Sequence, residues 1–314
     1  MGYRGRFAPS PTGGLHMGNL LVAFCAWARA YRKGGVCFLR MEDIDRPREV
    51  DGAAQEIIDD LEYVGLNFVE GVKAQGDHGP YVQSQCDTFY QAAIEHLQKT
   101  GRLFACSCSR KDIQRLASAP HLGEEGPAYP GTCREKNLDL NHDDNPVAWR
   151  FHVHSDVVRF DDVLCGLHAH DVESETGDFV VRRKDGLWAY HLAVVVDDMR
   201  QGVTEVVRGR DLLGSTARQV QLYHALGASP PDFAHVPLWV DSEGQRMSKR
   251  RGEDAHTIRR FRERGVDGHR LLGGLGEALG IAQKGERISA PNLADRLEDS
   301  VLKVKNVTLD LKSI

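Results

Sequence analysis

Residues Pro9-Ser10-Pro11-Thr12-Gly13-Gly14 stand between a short apolar segment at 5–8 and a helical pattern that begins at Met17. Two prolines and two glycines in so short a stretch exclude helix and force a turn. The following helix is predicted over 17–33, with Leu20, Phe24, Trp27 and Tyr31 forming one apolar stripe read as core. Gly34-Gly35 ends it. A second strand over 36–42 sets Val36, Phe38, Arg40 and Glu42 on one face. Strand, Gly/Pro loop, helix and strand in this order predict an α/β fold with a Rossmann-type parallel sheet. In such sheets ligands bind beyond the carboxyl ends of the strands, where Glu42 falls.

Helical periodicity returns at 55–66 and 86–99. Residues 106–144 are rich in Gly, Pro, Cys and charge, and read as part of an inserted module. Short alternating strands are predicted over 151–171. The run Ala193-Val194-Val195-Val196, within 189–198, suggests a strand covered on both faces. A strand at 203–208, a helix at 212–226 and a strand at 236–240 follow. The predicted organisation is a catalytic domain split into 1–85 and 176–251, an insertion at 86–175 and a short helical C-terminal segment at 252–314.

The length of 314 residues allows about two domains. A net charge of −5 excludes a globally basic nucleic-acid glove. Local basic charge is present: residues 246–270 hold nine Lys/Arg against four Asp/Glu, which suits either an RNA backbone or a solvated helix face. No apolar run is long enough to span a membrane, and residues 1–7 lack a signal-peptide core. A cytoplasmic protein is expected. Seven cysteines are too few for a disulfide scaffold of this length. Cys25, Cys37, Cys86 and Cys165 are isolated and read as core.

Three constellations carry chemistry. His16-Met17-Gly18-Asn19 opens a helix, whose free N–H groups and positive dipole end attract phosphate. Alone, it also fits an ordinary capped helix. Arg246-Met247-Ser248-Lys249-Arg250 follows a strand and turn, and its lysine could reach a departing pyrophosphate. A solvated basic loop is the alternative. Cys106-Ser107-Cys108 with Cys133 about 25 residues on suits a tetrahedral zinc site, or three buried thiols without metal. His152/His154 and His168/His170 read as surface-strand histidines.

These stretches resemble the class I aminoacyl-tRNA synthetases, which carry an HIGH-type motif early and a KMSKS-type motif late. The segments 6–19, 40–45, 190–198 and 207–211 are similar to the glutamyl branch. Asn19 at the fourth HIGH position and Arg246 at the first KMSKS position depart from the generic pattern. The resemblance implies His16 and Lys249 as catalytic residues. It implies ATP contacts from Pro9, Ser10, Thr12, His16, Gly18, Asn19, Arg246, Met247, Ser248 and Lys249. Arg6, Phe7, Ala8, Pro9, Ser10, Glu42, Tyr190 and Arg208 would hold L-glutamate. Cys106, Cys108, Tyr129 and Cys133 would hold Zn²⁺, and Mg²⁺ would accompany the nucleotide.

Only 64 residues follow Arg250, too few for the helical domains that read an anticodon. The resemblance therefore narrows to the short paralogues. These activate glutamate without tRNA and attach it to the queuosine base at the wobble position of tRNA(Asp). A monomer is expected. The alternatives are a glutamate-activating enzyme with another acceptor, and a non-catalytic adenylate- or glutamate-binding protein.

Overall fold

The structure, a computed structural model, describes residues 2–109, 111–113, 128–140, 146–240 and 257–308. Residues 246–250 of the basic motif lie outside these. β1 (Arg4–Phe7) leads through the Pro/Gly loop into α1 (Met17–Arg32) and β2 (Val36–Leu39), followed by α2 (Ala53–Tyr63) and β3 (Glu70–Gly71). The three strands pair in parallel, in the order β1-β2-β3, with Arg6 opposite Phe38. Parallel neighbours need a crossover, which α1 and α2 supply.

Next come α3 (Asp87–Lys99), β4 (Leu103–Cys106), β5 (Ala148–Phe151), β6 (Val158–Asp162), β7 (Gly166–His170), a short α4 (Val172–Glu175) and β8 (Phe179–Arg182). The chain continues through α5 (Tyr190–Arg200), β9 (Glu205–Gly209), α6 (Thr216–Ala225), β10 (Asp232–Val236) and β11 (Leu238–Trp239). The C-terminal part is α7 (Ile258–Glu263), α8 (Gly268–Ala278), α9 (Ala290–Asp295), α10 (Asp299–Leu302) and β12 (Asn306–Val307).

A second sheet has the order β7-β6-β10-β9, parallel except for the β6–β7 hairpin. The two sheets abut where Thr204 N–H donates to the Arg4 carbonyl at 2.9 Å and Arg4 N–H donates to Thr204 Oγ1 at 2.9 Å. The carboxyl ends of β1, β2, β9 and β10 thus open on one side. A third sheet, β4-β5-β8, is antiparallel. It runs past the expected insertion boundary at 175 to Arg182. Within the expected insertion, β6 returns to the parallel sheet, with Asp162 beside Phe233.

Three local expectations change. Residues 190–200 are helix α5, not a strand. Leu192 to Val196 are all buried, so the helix is covered on every side. Such a helix shows no amphipathic period, and a short apolar run does not distinguish it from a strand. The strand expected over 236–240 is broken at Pro237. β11 pairs instead with β12. Of the α1 stripe, Leu20 and Phe24 are fully buried, whereas Tyr31 is 45% exposed and stacks on Trp27 at 5.1 Å.

Cys25, Cys37 and Cys86 are core as expected, but Cys165 is only partly buried and meets Arg210 Nη2 at 3.0 Å. His168 and His170 stack on Phe160 over the β6–β7 hairpin. Among the described residues, no helix is long and apolar enough to cross a membrane.

Candidate active site

A cavity of about 480 Å³ opens at the carboxyl ends of β1, β9 and β10. Arg6, Phe7, Ala8, Pro9, Ser10, Thr12, His16, Gly18, Asn19, Glu42, Tyr190 and Arg208 all line it. Every described residue expected for glutamate or ATP is therefore in one place. Arg246, Met247, Ser248 and Lys249 lie outside the described residues. Sequence reasoning missed Asp211 and Leu212 after β9, and Leu238 and Trp239 after Pro237, which also line the cavity. Their position just beyond strand ends was the available signal.

One end of the cavity is built on the start of α1. His16 is its N-cap. Its Nδ1 accepts N–H bonds from Gly18 at 3.1 Å and Asn19 at 3.2 Å, while Asn19 Oδ1 accepts from His16 N–H at 3.4 Å. This reciprocal pattern satisfies orphan donors at the helix start. An accepting Nδ1 puts the ring proton on Nε2, making that nitrogen a donor. Gly18 has a reason inside the chain: a Cβ there would sit 3.0 Å from His16 Cε1. The glycine thus makes room for the capping imidazole. Two of the helix N–H groups expected to meet phosphate are used by His16, so donation from this cap passes to the ring.

The opposite end is ionic. Arg6 Nε donates to Asp198 Oδ1 at 3.1 Å, and its Nη1 donates to the Val207 carbonyl at 3.2 Å. Arg40, fully buried, donates from Nη1 to Asp198 Oδ1 at 2.7 Å and from Nη2 to Glu42 Oε1 at 2.9 Å. Asp197 Oδ2 accepts from Gln83 at 2.8 Å and Tyr90 at 2.9 Å, and its Oδ1 accepts from Arg200 at 2.8 Å. Burial pushes Glu42 upward against the opposing pull of Arg40 and Arg6. Burial acts the same way on Asp198, but Arg6 and Arg40 win and hold it low. Helix α5 carries Asp197 and Asp198, so its placement as a helix is what brings both carboxylates to the arginines.

Arg208 is different. It is 4% exposed and donates only to neutral acceptors: His235 Nε2 at 2.9 Å, Gln219 Oε1 at 2.6 Å and Thr216 Oγ1 at 2.8 Å. Among the described residues no carboxylate pairs with it. Burial lowers its pKa, yet a guanidinium stays charged in proteins. A desolvated cation on a cavity wall, without a counterion, is a receptor for an anionic group.

The thiol cluster lies apart, on β4 and the loop beyond it. Sulfur atoms of Cys106, Cys108 and Cys133 lie within 4.8 Å of one another, and Cys108 and Cys133 are 3.5 Å apart. Tyr129 Oη accepts from the Cys106 thiol at 3.4 Å and Cys133 N–H at 2.9 Å. Gly177, at φ 66°, permits the close approach that seats Tyr129: a Cβ would fall 2.2 Å from the Tyr129 carbonyl oxygen. Burial raises Cys133, but hydrogen bonds from Tyr129, Ser107 and Cys108 bring it down to about 6. Tetrahedral zinc at about 2.3 Å from each sulfur would separate the sulfurs by roughly 3.8 Å. The donor set fits a metal of that kind. His152/His154 and His168/His170 form no such group among the described residues.

Comparison with known proteins agrees with this geometry. Residues 3–295 match the family described as tRNA synthetases class I (E and Q), catalytic domain. A glutamyl-Q tRNA(Asp) synthetase from Symbiobacterium thermophilum is 44% identical over 294 residues, covering 92% of this chain and 90% of the relative. One from Nitratidesulfovibrio vulgaris is 44% identical over 282 residues, with 88% and 86% covered. The crystal structure of glutamate-tRNA synthetase from Elizabethkingia anophelis superposes with a TM-score of 0.85, over 100% of this chain and 69% of that one. At 24% identity that likeness speaks for the fold alone. The chain belongs to the class I glutamyl and glutaminyl tRNA synthetase family, on the branch of the glutamyl-Q tRNA(Asp) synthetases.

Proposed function

We propose that the chain condenses L-glutamate with MgATP to glutamyl-adenylate, without tRNA, and then passes the glutamyl group to the queuosine base of tRNA(Asp). The observation that carries this reading is the charge pattern of the cavity. Two arginines, Arg6 paired with Asp198 and Arg208 held by neutral acceptors, line the same cavity as Glu42 and Asp211. A dicarboxylic amino acid needs two cations and one anion. Arg6 and Arg208 take the carboxylates and Glu42 takes the ammonium, with Ser10 and Tyr190 as polar neighbours.

In the first step the α-carboxylate oxygen attacks the α-phosphorus, the bond to the bridging oxygen breaks, and pyrophosphate leaves. No protein nucleophile is required, so positioning and charge stabilisation supply the rate. His16 donates from Nε2 to a phosphate oxygen. Pro9, Ser10, Thr12, Gly18 and Asn19 shape the nucleotide's bed, and the family resemblance assigns Arg246, Met247, Ser248 and Lys249 to ATP, with Lys249 on the leaving pyrophosphate. Mg²⁺ enters with the nucleotide as part of the substrate. In the second step an acceptor hydroxyl attacks the mixed anhydride, loses its proton, and AMP departs. A second cavity of about 670 Å³ shares Ser10, Glu42 and Tyr190 with the first and is edged by Arg48, Arg150, Arg183 and Trp188. Asp45 and Asp185 line it too, so it is its position beside the first cavity that favours the incoming RNA.

ATP–pyrophosphate exchange with each of the twenty amino acids, without tRNA, tests the first step. Exchange confined to glutamate is expected, and exchange with a different amino acid sinks the reading. Glutamylation of tRNA(Asp) with and without queuosine tests the acceptor, since equal charging of both would assign a conventional one.

Cys106, Cys108, Tyr129 and Cys133 would hold Zn²⁺ as a cross-link between β4 and the following loop. Metal analysis of protein purified without chelator is expected to find about one zinc per chain. Cys133→Ala should lose it and lower the melting temperature, with glutamate-dependent exchange reduced much less. Zinc-free wild-type protein would refute the site. Seven cysteines are too few for a disulfide scaffold in a chain of this length, which suits a reducing, cytoplasmic setting.

A further inference from the structure

Arg208 is held by His235 of β10 together with Gln219 and Thr216 of α6. Its Nε–H is received by Nε2 of His235, a fully buried residue of β10. An imidazole nitrogen accepts only when it carries no proton, so the neutral ring must hold its proton on Nδ1. Asp162, at the end of β6, explains why it does. Its Oδ2 lies 2.5 Å from His235 Nδ1. Its Oδ1 accepts three backbone N–H bonds, from Leu164 at 3.0 Å, Cys165 at 2.9 Å and His235 at 3.2 Å. Those donors, together with His235, overcome burial and hold Asp162 down to about 2. Burial keeps the imidazole neutral, with His235 down to about 4 despite Asp162.

The arrangement solves a specific problem. A carboxylate bonded directly to Arg208 would orient it but share its charge, as Asp198 shares that of Arg6. A neutral imidazole passes on the orientation and keeps the negative charge one ring away. We propose that Asp162 and His235 form a positioning dyad that fixes the His235 tautomer and so presents Arg208 to the substrate as an oriented cation. The proposal rests on the reading that this cavity takes glutamate. Neither residue touches the substrate, and the role lies in the first step's amino-acid affinity.

Asp162→Asn separates this role from simple packing. The three backbone N–H groups retain the amide oxygen at the Oδ1 position, so the NH₂ faces His235 Nδ1. The ring must then accept at Nδ1 and carry its proton on Nε2, against Arg208 Nε–H. Two donors then face each other. In exchange assays the KM for glutamate should rise by about tenfold or more, as when an oriented charge-assisted contact loosens. The KM for ATP should stay within about twofold. Nitrogen-15 NMR of histidine-labelled wild-type protein should show His235 as the neutral Nδ1–H tautomer at pH 7, and the variant should show Nε2–H. An Nε2–H or charged His235 in the wild type overturns the dyad, even if the variant fails to fold. An unchanged glutamate KM in a folded variant does so as well. Absence of glutamate exchange in the wild type would instead overturn the functional reading, and the NMR result would still decide the dyad.

Discussion

Arg208→Met is expected to remove nearly all glutamate-dependent exchange. Truncating one partner of a buried, charge-assisted contact costs about 2–5 kcal/mol, or roughly 30- to 5000-fold in kcat/KM. The loss should fall on glutamate, because Arg208 is the cation assigned to a substrate carboxylate and the nucleotide is assigned to the His16 end of the cavity. Arg208→Lys should recover little of it. A lysine keeps the charge but cannot donate in three fixed directions to His235, Gln219 and Thr216. Stability should change far less than activity, since no ionised partner is stranded when this cation is removed. The measurement is exchange at varied glutamate and fixed saturating ATP. A glutamate KM within about threefold of wild type in Arg208→Met would remove Arg208 from carboxylate recognition.

Arg40→Met should instead strike the fold. Arg40 is fully buried and holds both Asp198 and Glu42, with Asp197 nearby at 3.9 Å. Stranding buried carboxylates costs about 3–5 kcal/mol. At about 2–4 °C per kcal/mol for a chain of this size or somewhat smaller, the melting temperature should fall by roughly 6–20 °C. Arg46→Met is the control. Its pair with Glu49 spans 3.5 Å and its side chain is 57% exposed, so the loss should be about 0–1 kcal/mol. The pH dependence has a definite sign. Burial already raises Glu42 against the pull of Arg40, so without Arg40 it rises further above its value in the unfolded chain, while Asp198 keeps its bond to Arg6. The native state then binds more protons than the unfolded state, and stability falls as pH rises. The deficit relative to wild type should therefore be smaller at pH 5 than at pH 8. Equal deficits for Arg40→Met and Arg46→Met in thermal melts would rule out the buried network as a structural keystone.

Both variants act on groups whose importance was unequally visible beforehand. Arg208 and Glu42 stand out in the sequence through their motifs. Arg40 shares the 40–45 stretch with Glu42, but nothing within that stretch discloses its distant partners. Its weight comes from Asp197 and Asp198, about 158 positions away in the chain. The expected strand at 189–198 would also have hidden that link, since alternation would send the two adjacent aspartates to opposite faces. On helix α5 both reach the arginines.

The set of charged residues suited to a dicarboxylic amino acid came from the family resemblance, whereas local chemistry alone determined the Pro/Gly loop, the helix start at His16 and the thiol spacing. Each depends on neighbours within a turn or two, where backbone restriction and hydrogen-bonding capacity are written residue by residue. The three-dimensional packing decided that Leu192–Val196 lies in a helix, that Pro237 splits a strand in two, and that Arg208 is ringed by neutral acceptors from α6 and β10. Those outcomes depend on desolvation and on partners brought together from distant segments. Such energies exist only once the core has closed.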